Sequence, residues 1–133
     1  MSSSESSVID ASALLAYLFG ESGGERLLRL AGDLPVMSTV NWSEVVQKAL
    51  QYAVSADRLR AVGEEAGIVL LPFTPEHADH AARLWSETRS LGLSLADRAC
   101  LALALVIGAP AVTADRTWTQ LAVPGLRVEV LER

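Results

Sequence analysis

The 133-residue sequence predicts a single α/β domain in which helices cover both faces of a parallel sheet. Two observations carry this. Strand-length apolar runs alternate with helix-length segments along the whole chain. Those runs, such as Ile68-Val69-Leu70-Leu71, are apolar throughout and lack the period of two that a half-exposed strand shows. A strand apolar on both sides is buried on both sides, as in a parallel sheet between two helical layers. With 50% hydrophobic and 20% charged residues, the chain can fill such a core, and a disordered or fibrous chain is excluded.

Residues 1–7 are Ser-rich with no basic residue, which predicts a disordered N-terminal tail and not a signal peptide, leaving 8–133 as the domain. Val8-Ile9 is a short first strand ending at Asp10, and residues 13–18 follow with helical character. Gly20, Gly23 and Gly24 punctuate the chain before a second helix over 25–31. Leu34–Ser38 reads as a strand, with Pro35 near its start, where a missing N–H is tolerated. Asn41 then opens a helix in which Val45, Val46, Ala49, Leu50 and Ala53 recur at helical spacing, and another helix covers 55–65. Residues 68–71 form a strand closed by Pro72, and Pro75 opens a helix running to about residue 90. Ser94 precedes the most apolar helix, Leu95–Ile107, which Gly108 and Pro110 stop. A strand at Ala111–Thr113, a short helix over 116–121 and a last strand over 127–131 complete the chain.

Composition narrows the function. The lone cysteine, Cys100, excludes an internal disulfide and fits a cytoplasmic location, and the longest apolar stretch, 99–109, is too short to span a membrane. A net charge of −5 argues against general nucleic-acid affinity through a basic surface; the cations are ten arginines and Lys48. The glycines match neither a P-loop nor a dinucleotide fingerprint, and no Gly-x-Ser-x-Gly elbow occurs. Phosphoryl-transfer folds with an acid at the first strand end also want a lysine late in the chain, and none follows Lys48.

What remains is a set of acids at helix starts: Asp10, Glu44, Asp97 and Asp115. Each has a purely structural reading. Asn41…Glu44 and Ser94…Asp97 have capping-box spacing, and Asp10 and Asp115 suit N-cap positions. Asp10, Glu44 and Asp115, however, each follow a strand, and the carboxyl ends of parallel strands share one edge. Like charges gathered there repel, and a divalent cation with oxygen ligands resolves the conflict; Ser12 and Thr113 supply flanking hydroxyls. His77 and His80 lack a third ligand nearby in sequence and are read as surface residues. Cys100 is read as a buried hydrophobe, Trp42 and Trp118 as packing residues before base-stacking ones, and Trp85 as part of a helix face.

Four segments together resemble the PIN domain, and within it the VapC-type toxin ribonucleases of type II toxin–antitoxin pairs. They are Val8-Ile9-Asp10-Ala11-Ser12-Ala13, Asn41-Trp42-Ser43-Glu44-Val45, the stretch from Leu93 to Ala102 around Ser94-Leu95-Ala96-Asp97, and Val112-Thr113-Ala114-Asp115-Arg116-Thr117-Trp118. The resemblance implies a PIN-like three-layer α/β/α sandwich with a central, mostly parallel sheet of four to five strands. It also implies an endoribonuclease dependent on Mg²⁺ or Mn²⁺. Asp10, Glu44, Asp97 and Asp115 would be catalytic, with Asp10, Asp97 and Asp115 on the metal, supported by Ser12 and Thr113. Arg98 and Arg116, each beside a site acid, are candidate contacts to RNA phosphates. The implied partners are RNA, a cognate antitoxin and a second copy of the chain, with exposed leucines among Leu14, Leu15, Leu18, Leu27 and Leu28 in the antitoxin groove. Some relatives carry a further acid where Arg116, Thr117 and Trp118 stand here, so firm binding of a second metal is not expected. The alternatives are a non-catalytic interaction module of the same fold, or a nuclease acting on DNA.

Overall fold

The computed structural model describes residues 5–132. Five strands, β1 (Ser6–Ile9), β2 (Leu34–Ser38), β3 (Val69–Leu71), β4 (Ala111–Thr113) and β5 (Val128–Val130), form one sheet in the order β3-β2-β1-β4-β5. Every neighbouring pair is parallel. Seven helices connect or follow the strands: α1 (Ala11–Leu18), α2 (Leu27–Leu30), α3 (Thr39–Gln51), α4 (Ala56–Ala66), α5 (Pro75–Arg83), α6 (Trp85–Thr88) and α7 (Leu95–Ile107).

The central register puts Val8 beside both Val36 and Ala111. Those three side chains join a buried core with Ala81, Leu84, Trp118 and the inner face of α7. Their neighbours Ile9, Met37 and Val112 point the other way, into a second core with Leu14, Leu27, Val45, Leu59 and Val62 from α1 to α4. Successive residues of a strand thus face different cores, and both cores are apolar. That is why the strands read as continuous hydrophobic runs.

The first strand begins two residues before the apolar signal, so Ser6 and Ser7 of the expected tail pair with β2, and residues 1–4 lie outside the described range. Ser7 is buried and its hydroxyl donates to the Ala31 carbonyl, which satisfies a polar group that no sequence pattern places inside. α3 starts at Thr39, capped by Ser38, whose Oγ accepts from the Val40 N–H at 3.2 Å, so Asn41 lies inside the first turn and does not open the helix. The single helix expected over 75–90 is broken into α5, α6 and a 3₁₀ turn at Arg89–Leu91. Buried Thr88 turns its hydroxyl back onto the Leu84 carbonyl at 2.8 Å there, a bond that competes with regular helix. The helix expected over 25–31 is a 3₁₀ turn, Gly24–Arg26, followed by one turn of α2.

Of the leucines expected to face a partner, Leu14, Leu18 and Leu27 are core residues, Leu15 is half-buried and only Leu28 is exposed. The two short helices use their apolar residues to cover the sheet. The tight approach of α1 to the following turn is set by Gly24, where a Cβ would lie 2.4 Å from the Ala16 carbonyl oxygen. Gly63 is the opposite case: it sits within α4, and a Cβ there would meet no heavy atom within 4 Å. Urea denaturation of two variants should therefore move in opposite directions. Gly63→Ala should gain up to about 1 kcal/mol from lower unfolded-state entropy. Gly24→Ala should lose roughly 1–3 kcal/mol, because backbone must shift to admit the methyl.

Candidate active site

Asp10 stands where β1 ends and α1 begins, and its surroundings decide between the two readings of that position. It occupies the N-cap of α1 but makes no side-chain cap hydrogen bond. Instead its Oδ2 accepts from Ser12 Oγ at 2.6 Å and from Thr113 Oγ1 at 2.9 Å. Each hydroxyl is in turn held by a backbone donor, Ser12 Oγ by the Ala114 N–H and Thr113 Oγ1 by the Asp115 N–H, both at 3.0 Å. Those donors fix the hydroxyl oxygens so that their single protons point at the carboxylate. Among the described residues, Oδ1 accepts no hydrogen bond.

Asp10 lines a cleft of 220 Å³ together with Ser12, Glu44, Lys48 and Asp97. Glu44 arrives from α3 and Asp97 from the first turn of α7, two helices that pack on one another. Asn41, fully buried, links them: its Nδ2 donates to Glu44 Oε1 at 3.2 Å and to the Ala96 carbonyl at 2.9 Å. Its Oδ1 is buried without a partner. Asp97 also forms the capping box expected of it, accepting from the Ser94 N–H at 2.9 Å while its own N–H donates to Ser94 Oγ at 3.1 Å. Capping occupies Asp97 Oδ2 and leaves Oδ1 without a hydrogen bond among the described residues.

The three acids of the cleft are Asp10, Glu44 and Asp97, whereas the strand-end argument grouped Asp10 and Glu44 with Asp115. The carboxylate of Asp115 does not line this cleft. It caps the 3₁₀ turn Arg116–Gln120, accepting from the Thr117 N–H at 2.9 Å and the Thr117 hydroxyl at 2.7 Å, and reaches the site through its backbone N–H on Thr113. Arg98 is turned onto α5, with Nη1 donating to the Ala81 carbonyl at 2.8 Å and Nε buried without a partner, which removes it as a free phosphate contact. Arg116 is exposed. Trp118 is buried in the core, and Trp42 packs half-buried against the other core. His77 is spent in the capping box with Thr74, and Trp85 lies exposed under Arg89, whose guanidinium is 4.7 Å from the ring centre. Cys100 is fully buried, and burial pushes its thiol well above the usual range.

Asn41 and Lys48 are the site residues that sequence reasoning passed over. Lys48 follows Glu44 by one helical turn and is exposed at the cleft; that i, i+4 spacing on a helix beginning after a strand was the available signal.

The electrostatics of the cleft are unfavourable for anions packed together. Burial pushes the Asp10 carboxyl up to about 7, opposed by the Ser12 and Thr113 hydroxyls and reinforced by the negative charges of Asp97 and Glu44. Glu44 is raised as well, first by burial and then by Asp97, against the lowering effect of Asn41. Carboxylates that line a shared cleft and each keep one oxygen out of the hydrogen bonds described are the donor chemistry of a hard divalent cation, and in that respect the residues fit one. Among the described residues, however, no three acidic, histidine or cysteine side chains stand close enough to make a ready-made ligand set.

The family model that matches this chain is "PIN domain", over residues 7–124. No curated protein sequence matches. Among solved structures, a toxin–antitoxin complex from Klebsiella pneumoniae is similar at a TM-score of 0.73 and 21% identity, covering 91% of this chain and 95% of that one. A DNA-bound VapBC from Salmonella typhimurium is similar at 0.72 and 16%, covering 96% and 98%. VapC20 from Mycobacterium tuberculosis, described as a sarcin–ricin loop cleaving toxin, is similar at 0.71 and 14%, covering 92% and 99%.

The raised Asp10 value has a sign that denaturation can read. A carboxyl that titrates near 4 in the unfolded chain and near 7 when folded leaves the folded state with more bound protons between those values. Its contribution to stability is therefore lost as pH rises from about 4 through about 7, on the order of 4 kcal/mol in all. In chelator, Asp10→Asn should be the more stable protein at about pH 8, and the gap should close towards about pH 4. Equal pH profiles of the two proteins in urea would contradict the buried, crowded carboxyl.

Proposed function

This chain belongs to the PIN domain family, and on that footing we propose that it is a VapC-type toxin: a divalent-metal-dependent endoribonuclease of the cytoplasm, paired with a cognate antitoxin. The observation that carries the reading is the cleft shared by Asp10, Glu44 and Asp97, whose charges crowd one another. A structural role does not call for that crowding. Capping explains Asp97 and Asp115 in full, but it explains neither Asp10, which caps nothing, nor Glu44, which lies in the body of α3.

In this mechanism Asp10, Asp97 and Asp115 would hold Mg²⁺ or Mn²⁺, with Glu44 beside them. When bound, the ion would lower the pKa of a water and offset charge on the scissile phosphate. The protein's own part is orientation. Ser12 and Thr113 fix the Asp10 carboxylate through Oδ2, leaving Oδ1 without a hydrogen bond among the described residues. Asn41 holds Glu44 against the start of α7, and so sets its position relative to Asp97. Asp115 would join the set through Oδ2, which the cap leaves unengaged, since Oδ1 alone accepts from Thr117. Arg116, exposed next to Asp115, would meet the RNA backbone.

For the antitoxin, the supporting feature is an apolar groove of 620 Å³ between α3 and α4, walled by Trp42, Val46, Leu59, Ile68 and Leu70. It is of a size and character to take apolar side chains of a partner helix. A second copy of the chain is the remaining proposed partner.

Cleavage assays on RNA decide the central claim. Asp10→Asn and Asp97→Asn should reduce divalent-dependent cleavage to background while the fold, followed by circular dichroism, is kept. Millimolar Mg²⁺ should raise the melting temperature of the parent protein, by about 2.7 kcal/mol of stability at a hundred times its dissociation constant, and should fail to do so in Asp97→Asn. Cleavage equal in parent and both variants, or cleavage of DNA alone, would overturn the assignment.

A further inference from the structure

A groove of 520 Å³ opens between α1 and α3 beside the acid cleft, and the two share Ser12, Leu15 and Lys48 as a common wall. On its other side stand Phe19 and Tyr52, the residues that end α1 and α3. Their rings meet edge to face with centres 5.4 Å apart, so the broad faces are not stacked on one another. Phe19 is 37% and Tyr52 66% exposed, a large aromatic surface left in water directly beside a polar cleft.

We propose that this groove is a nucleobase subsite for single-stranded RNA: the base next to the phosphate in the acid cleft stacks on Tyr52 and Phe19, while Lys48 contacts the backbone phosphate between them. The inference rests on the nuclease reading and adds a substrate-binding role to residues outside the acid cluster. Continuity carries it, because a chain whose phosphate lies against Asp10, Glu44 and Asp97 passes Lys48 on leaving the cleft and enters the groove. Charge assigns the parts. Lys48 is the cation lining both spaces, whereas Glu21, also lining the groove, repels phosphate and accepts hydrogen bonds from base amino groups. The backbone therefore stays at Lys48, and the base goes to the aromatic pair. Stacking of this kind tolerates any base, since every base offers a π-face.

The test measures binding to the Asp10→Asn protein, which holds RNA without cutting it. The probes are a short fluorescein-labelled single-stranded RNA and an abasic ribose-phosphate chain of the same length. Tyr52→Ala, introduced into that background, should weaken RNA binding roughly tenfold, within the range of one base–aromatic stack, and leave the abasic chain unaffected. Tyr52→Trp should restore it. Lys48→Ala should weaken both probes alike and reduce the salt dependence by about one phosphate contact. Unchanged RNA affinity in Tyr52→Ala, in a protein that melts like its parent, would overturn the subsite; equal losses on both probes would also overturn it. If the parent chain cuts RNA in Mg²⁺ and Tyr52→Ala has no binding defect, the subsite alone fails. If the parent chain neither cuts nor binds RNA, the nuclease reading fails with it.

Discussion

The carboxyl edge of this sheet is organised around one buried carboxyl group that the fold holds at an energetic cost. Asp10 is 3% exposed and sits at the end of the central strand, with β2 on one side and β4 on the other. Burial of a carboxylate is tolerated only when donors or counter-charges compensate for lost water. Here the donors are two hydroxyls on one oxygen, and the nearest charges are further carboxylates, which make matters worse. A fold selected for stability alone would neutralise such a position with a smaller or apolar side chain. An acid there, with further carboxylates as its nearest charges, is intelligible if something cationic completes the site.

The hydroxyl pair also explains how precision at the site is obtained from distant parts of the chain. Ser12 comes from the first helix and Thr113 from the fourth strand, 3.1 Å apart across a separation of 101 residues. Each oxygen is pinned by a backbone N–H of the segment following β4, so the pairing of β1 with β4 is transmitted to the carboxylate. On the other side Asn41 performs the same service between α3 and α7 through one amide nitrogen. Both devices use rigid secondary structure to hold a side chain in place, although Asn41 Oδ1 stays buried without a partner.

The fold was legible because parallel strands buried on both faces leave an unmistakable apolar run, and Val8-Ile9, Met37 and Val112 each fall in one. What escaped was polar structure inside the core: Ser7 continues β1 without an apolar signal, and Thr88 interrupts a helix by bonding backwards. At the site, the strand-end rule placed Asp10 and Glu44 correctly at one edge. It had no means of including Asp97, which reaches the cleft from a helix start through the packing of α7 on α3, nor of seeing that Asp115 turns towards Thr117. Spacing also made Asn41…Glu44 look like a capping box, whereas the helix had already begun at Thr39, and the same two residues bond for a different purpose. Capping geometry and ligand geometry draw on the same residue types at the same spacing, and only the positions of the oxygens separate them.

Net charge sets the remaining constraint on how this protein could hold a polyanion. At −5 overall, and with the Arg98 guanidinium committed to a carbonyl on α5, the chain offers little general attraction to phosphate. A protein that binds nucleic acid through many lysines and arginines gains affinity by releasing counterions, and pays for it with indiscriminate binding and steep salt dependence. Among the described residues the one cation lining the cleft is Lys48, so that source is nearly absent. For the proposed nuclease, affinity would then come from short-range terms: cations recruited to the carboxylates, single well-placed contacts and apolar surface at the cleft's margin. Short-range terms demand that the ligand fit, and a nuclease built on them engages RNA where shape and a few groups agree, not wherever negative charge is found.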